Sequence, residues 1–71
     1  MIQDEQTLRR TTAKNIAAYR KAHKDTQLDL ARKLNYSDKS VSKWERGEGL
    51  PDVYILAQIA QLYGVTVSNL I

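Results

Sequence analysis

The chain has 71 residues, 42% hydrophobic and 27% charged, with a formal net charge of +3 and a sequence pI of about 9.4. That length holds one domain near the lower limit for a self-sufficient core, and the apolar content is too high for a disordered chain. With no cysteine, neither a disulfide framework nor a thiolate zinc site can staple the fold, so stability must come from helix packing. No apolar run approaches the ~18 residues of a membrane span, and the start MIQDEQTLRR lacks a signal-peptide core, so a cytoplasmic location is expected. Acids sit at the start (Asp4, Glu5) and are otherwise scattered, while cations concentrate from Arg9 to Arg46. A mildly basic balance permits a polyanionic partner without demanding one.

Residues 1–10 read as a polar, partly helical extension, with Met1 to Gln6 frayed. Residues 11–71 read as the domain. From Thr7 the pattern turns helical: Leu8, Thr12, Ile16 and Tyr19 share one side, and Ala13, Ala17, Ala18 and Ala22 add helix propensity. Either Thr7 or Thr11 would serve as its cap, and the end is expected near His23 to Asp25. Thr26 caps a second helix, Gln27 to Leu34, with Asp29 in the capping-box position. Leu30, Ala31 and Leu34 point inward there, while Asp29, Arg32 and Lys33 point out. Asn35 tolerates a left-handed φ and closes this helix.

Ser37 then caps a third helix from Asp38 to Arg46. At ~100° per residue, with Lys39 at zero, Lys43 falls near 40°, Arg46 near 340° and Ser42 near 300°. Val41, Trp44 and Glu45 lie opposite, between roughly 140° and 240°. One face therefore carries three cations and a small hydroxyl, and the other carries the only Trp. The rod is about 14 Å long and suits a B-DNA major groove about 12 Å wide. Two short helices joined by a turn of about three residues are helix-turn-helix geometry by spacing alone, over about residues 26–47.

Gly47 to Gly49 break the pattern. Pro51 suits the first turn of a fourth helix, and Asp52 its positive end. Val53, Leu56, Ile59, Ala60 and Tyr63 carry the apolar stripe, with Gly64 as its stop. Val65, Val67, Leu70 and Ile71 close the chain in a last short helix capped by Thr66 or Ser68. The fold expected is all-α, a compact bundle of five helices, with Ile16, Tyr19, Leu30, Ala31, Leu34, Val41, Trp44, Leu56, Ile59, Ala60, Tyr63, Val65 and Leu70 in its core. No Gly-rich phosphate loop, no nucleophile with a plausible base and no metal-ligand set appears, so no catalytic residue, cofactor or metal is expected. His23 reads as a helix-end residue, and Asp29 and Asp52 as caps rather than a catalytic carboxylate pair.

From Ile16 to Leu70 the sequence resembles the lambda-repressor/Cro type of helix-turn-helix DNA-binding domain, also called Xre-like. The resemblance rests on Tyr19-Arg20, Thr26-Gln27, Leu30-Ala31, Leu34, Ser37, the run Val41-Ser42-Lys43-Trp44-Glu45-Arg46-Gly47, Pro51-Asp52, Ile59-Ala60, Tyr63-Gly64-Val65 and Leu70. Asn35 stands where the family usually has Gly. Asp25 stands where an apolar residue is common, which implies a less well packed corner between the first two helices. The resemblance implies that Asp38, Lys39, Ser42 and Lys43 face base edges, and that Gln27, Ser37 and Arg46 approach phosphates. Lysines at 39 and 43 suit guanine O6 and N7, whereas Asp38 either accepts from a cytosine amino group or only stabilises the helix start. Gln27 likewise either contacts a phosphate or only completes a helix start.

The resemblance also implies an ion pair between Arg20 and Glu45, because Glu45 lies on the inward side of its helix. The function implied is a sequence-specific, double-stranded-DNA-binding transcriptional regulator. It would be a repressor, acting as a homodimer on a pseudo-palindromic operator and paired through the apolar end around Val67, Leu70 and Ile71. The alternative is a protein-interaction module on the same fold, an adaptor or antitoxin-type partner that reads no DNA.

Overall fold

The computed structural model describes residues 4–71, so the expectation for Met1 to Gln3 lies outside the described residues. The first helix, α1 (Glu5–Ala22), begins before either threonine. Asp4 is its cap, with Oδ1 accepting from the Thr7 N–H at 2.7 Å. A carboxylate at this position satisfies an orphan donor and faces the positive end of the helix, so it outcompetes a hydroxyl one turn later. Gln6, expected to fray, is therefore helical. At the other end Lys24 takes a left-handed φ of 60°, and the Asp25 N–H donates to the Arg20 carbonyl at 3.1 Å. This closes α1 as glycine usually does, but with a lysine.

Thr26 and Asp29 form a reciprocal capping box for α2 (Gln27–Leu34). Asn35 ends α2 at φ 61°, ψ 40°. Ser37 accepts from the Ser40 N–H at 3.2 Å and starts α3 (Asp38–Glu45). Arg46 is the cap of α3 rather than its last helical residue. Gly47, at φ 74°, then turns the chain so that the Glu48 N–H donates to the Lys43 carbonyl at 3.1 Å. Pro51 lies before α4 (Val53–Tyr63) rather than in its first turn, because the Asp52 carboxylate takes the cap position and accepts from the Ile55 N–H at 2.9 Å. Gly64 stops α4 at φ 69°, and Thr66, rather than Ser68, caps α5 (Val67–Leu70).

The architecture is all-α, five helices among the described residues, with a Cα radius of gyration of 11.1 Å. α3 packs on α2 and α1, and α4 closes the back against α1, α2 and α5. The Asn15 side chain donates to the Leu70 carbonyl at 3.0 Å and ties α5 to α1. Ile16, Leu30, Ala31, Val41, Ile59 and Leu70 are fully enclosed. Leu34, Trp44, Leu56, Ala60 and Tyr63 are buried beside them, and Tyr19 and Val65 pack on the rim. The stripe on α4 differs from expectation at its start. Val53 is 78% exposed, while Ile55 is buried. On the ~100° wheel residues 55, 56, 59, 60 and 63 fill one half-turn, and position 53 falls just outside it. None of the described helices is long and apolar enough to cross a membrane.

Candidate nucleic-acid interface

The side of α3 turned away from the core is assembled from two helices. Gln27, Asp38, Lys39, Ser42, Lys43 and Arg46 line one open concavity of about 470 Å³. Gln27 reaches it from the start of α2, and the others from α3 and its cap. Asp38, Lys39, Lys43 and Arg46 are exposed, whereas Ser42 is half-buried. Ser37 sits one residue before α3, also exposed, with its oxygen occupied in capping. Six of the seven residues singled out for nucleic-acid contact thus share one cavity wall. A surface of this shape offers ammonium and guanidinium donors, a hydroxyl, an amide and one carboxylate to a ligand with many acceptors.

Behind this wall lies a polar cluster that sets the angle of α3. Arg20 of α1 donates from Nε to Glu45 Oε2 at 2.6 Å and from Nη2 to Glu45 Oε1 at 2.8 Å. Its Nη1 donates to the Asp25 carbonyl at 2.8 Å. The two side chains are only 11% and 7% exposed. The Glu45 hydrogen bonds come first among the effects that raise the Arg20 guanidinium above its ordinary range. Gln27 adds a third donor, Nε2 to Glu45 Oε1 at 3.0 Å. Its amide is therefore oriented by the buried pair. Sequence spacing carries no signal for that contact, since the two residues are 18 apart.

Arg46 is held as well. Its Nε and Nη2 donate to Glu48 at 2.9 and 3.2 Å, and Nη1 donates to Ser42 Oγ. The Glu48 hydrogen bonds raise the Arg46 guanidinium, and the reciprocal bonds hold the Glu48 carboxyl below its usual range. Glu48 had no assigned role from sequence. The available signal was an acid two residues beyond Arg46, across a glycine that reverses the chain.

The corner at Asp25 is not loosely packed. Its carboxylate accepts from Lys33 Nζ at 2.9 Å and from the Tyr63 hydroxyl at 3.0 Å. Burial, and then this hydrogen bond to a carboxylate, push the Tyr63 phenol well up. A polar residue fits where an apolar one is common because two donors from α2 and α4 converge on it. His23, at the end of α1, lies against Tyr63 with ring centroids 4.6 Å apart, and its Nδ1 is 2.9 Å from the Tyr19 carbonyl. Trp44 is 8% exposed and faces Tyr36 at 5.5 Å, on the core side of α3. Among the described residues no group of His, Cys, Asp and Glu is arranged to hold a metal ion.

The helix-turn-helix family profile matches residues 16–70. The HTH-type transcriptional activator BcrR of Enterococcus faecalis is 39% identical over 46 residues, which make up 65% of this chain and 22% of that protein. The chain thus spans about a fifth of that relative's length. The structure of the hypothetical transcription factor NHTF from Neisseria superposes with a TM-score of 0.83 at 28% identity, over 99% of this chain and 80% of that one. Hydroxypropylphosphonic acid epoxidase from S. wedmorenis superposes with a TM-score of 0.84 at 27% identity, over 92% of this chain but only 35% of the enzyme. The match runs from the middle of α1 to the end of α5, and the chain belongs to the helix-turn-helix family of the lambda-repressor/Xre type.

Proposed function

We propose that this chain is a sequence-specific, double-stranded-DNA-binding transcriptional regulator of the cytoplasm, with residues 11–71 as the binding domain. The observation that carries the reading is the concavity of α3 with its three cations. The fold alone would not carry it, because a similar domain makes up a third of an epoxidase. α3 enters the major groove, where Lys39 and Lys43 donate to guanine edges, Ser42 to either edge, and Asp38 accepts from cytosine. Gln27, Ser37 and Arg46 donate to phosphates on either side. The Ser37 oxygen accepts from the Ser40 N–H and lies 3.1 Å from the Ser40 hydroxyl; with Ser40 as donor in that contact, the Ser37 proton is left for a phosphate oxygen.

An eight-residue helix is about 12 Å long and covers roughly four base pairs, each good contact contributing about 1–3 kcal/mol of discrimination. One copy therefore discriminates poorly against a genome, and two copies on a pseudo-palindrome, about 34 Å apart, double the readout. Such a pair on a promoter occludes polymerase, which makes repression the proposed outcome; the activator title of BcrR names the opposite outcome for a relative.

The test is selection of bound sequences from random duplexes, followed by two variants. Lys43→Ala should change which sequences are bound. Arg46→Ala should weaken binding to all of them and lower the slope of log K against log salt by about 0.9. Equal losses on selected and random DNA for both variants, or no enrichment in the selection, would refute the proposal.

A further inference from the structure

Among the described residues two that are not glycine take a positive φ, Asn35 at 61° and Lys24 at 60°. Asparagine suits that conformation, because its short polar side chain bonds locally. Lysine has no such relief, and glycine would close α1 with no Cβ to place. The turn itself uses only backbone groups: the Lys24 N–H donates to the Lys21 carbonyl at 3.0 Å and the Asp25 N–H to the Arg20 carbonyl at 3.1 Å. The lysine side chain is exposed and enters no ion pair among the described residues. Its neighbour Asp25 is committed to Lys33 and to the Tyr63 hydroxyl. A strained residue that carries an idle charge points to a use outside the fold.

The place of Lys24 in the fold says which use. The next carbonyl along the chain, that of Asp25, accepts from Arg20 Nη1 at 2.8 Å. The same guanidinium holds Glu45, and Glu45 Oε1 accepts from Gln27 Nε2 at 3.0 Å. Gln27 in turn lines the concavity of α3. Lys24 therefore stands one residue from a hydrogen-bonded chain that ends at this wall, and at most about 11 Å of backbone from Gln27 itself. We infer that Lys24 is a further phosphate contact, made on the DNA backbone beyond the one assigned to Gln27. The assignment rests on the DNA-binding reading and extends that interface by one cation. An ammonium on a flexible stem acts as a point charge, which suits a backbone phosphate and reads no base. The rest of the corner explains why a strained position carries it. His23 lies against Tyr63, Asp25 binds Lys33 and Tyr63, and Thr26 is engaged in the capping box with Asp29. Position 24 is the one place in residues 23–26 where a cation displaces none of these contacts.

The test is titration of selected and random duplexes at several salt concentrations, with the full chain and four variants of it. Lys24→Gly and Lys24→Asn both suit a left-handed φ, so urea denaturation should show each at least as stable as wild type. Each should nonetheless bind about eightfold more weakly at ~0.1 M salt and lower the slope of log K against log salt by about 0.9, the counterion-release values for one phosphate. The loss should be the same on selected and random duplexes, because a phosphate carries no sequence. Weaker binding by a variant that folds as well or better does not come from damaged structure. Lys24→Arg keeps the charge and should restore affinity and slope. Lys14→Gln removes the same charge from α1 about 12 Å before its end, farther than the screening length of about 10 Å at 0.1 M salt, and should leave the slope as in wild type. Gly and Asn variants with wild-type affinity and slope, an Arg variant that restores neither, or a Lys14→Gln slope that falls as far as theirs would each overturn the assignment. A loss confined to selected duplexes would overturn it too, by making Lys24 a base contact. If wild type binds duplexes and the Lys24 variants match it, this contact fails alone. If wild type binds no duplex, the DNA reading fails and this contact with it.

Discussion

Replacing Arg20 or Glu45 alone should destabilise the domain strongly, because each leaves the other's charge buried, and replacing both should cost less than the sum. The pair is bidentate at 2.6 and 2.8 Å with side chains 11% and 7% exposed. Arg20→Ala leaves Glu45 with one amide donor, from Gln27, and a desolvated negative charge. Glu45→Ala leaves a guanidinium with only the Asp25 carbonyl. Removing one partner of such a pair typically costs about 3–5 kcal/mol, and most of that is the penalty on the survivor. Water reaches the edge of this cluster, so about 3 kcal/mol per single variant is the figure to test. The double variant has no orphaned charge, and about 2 kcal/mol should be recovered as coupling.

A chain of this size is stable by only about 4–11 kcal/mol at ~0.05–0.15 kcal/mol per residue. A loss of 3 kcal/mol is therefore visible as a midpoint shift in urea and as a fall in Tm of about 12–24 °C, at roughly 4–8 °C per kcal/mol. Urea denaturation of the wild type, both single variants and the double variant completes the cycle. Additive losses, with coupling under about 0.5 kcal/mol, would mean that the two groups are solvated independently and that α3 is oriented by apolar packing alone.

Three further outcomes are expected. Trp44→Ala should cost about 3–5 kcal/mol and take folding and DNA affinity down together; a variant that stays folded and loses only affinity would place the indole on the wrong side of α3. Lys24→Gly should stabilise by about 0.5–1 kcal/mol, because glycine adopts the φ of 60° without a Cβ penalty while it loosens the unfolded chain; a drop in urea midpoint would refute this. Tyr63 ionises at a raised pKa in the folded state, so its stabilising effect is whole below its ordinary value of 10.0 and is lost as pH climbs above it. Tyr63→Phe should flatten the alkaline limb of a stability–pH curve above pH 10, and an unchanged limb would assign that loss to other groups.

What could be read from the sequence divides by the range of the interactions involved. The faces of α3 follow from a 3.6-residue period within eight residues, and the caps at Thr26, Ser37 and Thr66 follow from bonds spanning three. The stop at Asn35 has the same local origin. At Asp4 the chemistry was equally local, and two threonines downstream simply offered plausible competitors. Other features depend on chain reversals that bring distant groups together. Asp25 looks like a packing fault until Lys33 and Tyr63 reach it from α2 and α4. Val53 and Ile55 exchange places relative to the apolar stripe because the angle of α4 is set by its neighbours.

Arg46 shows how the two ranges combine at the candidate site. Its position on the outer wall follows from helix period, but its side-chain direction follows from Gly47, whose φ of 74° folds the chain so that Glu48 lies beside the guanidinium. Under the proposed function, a DNA phosphate reaching Arg46 would take the place of that carboxylate. Both partners are more than half exposed, so exchanging one oxyanion for another costs little. The internal pair therefore holds the arginine extended along α3 at low cost, and a phosphate that displaces Glu48 meets a side chain already ordered by Ser42.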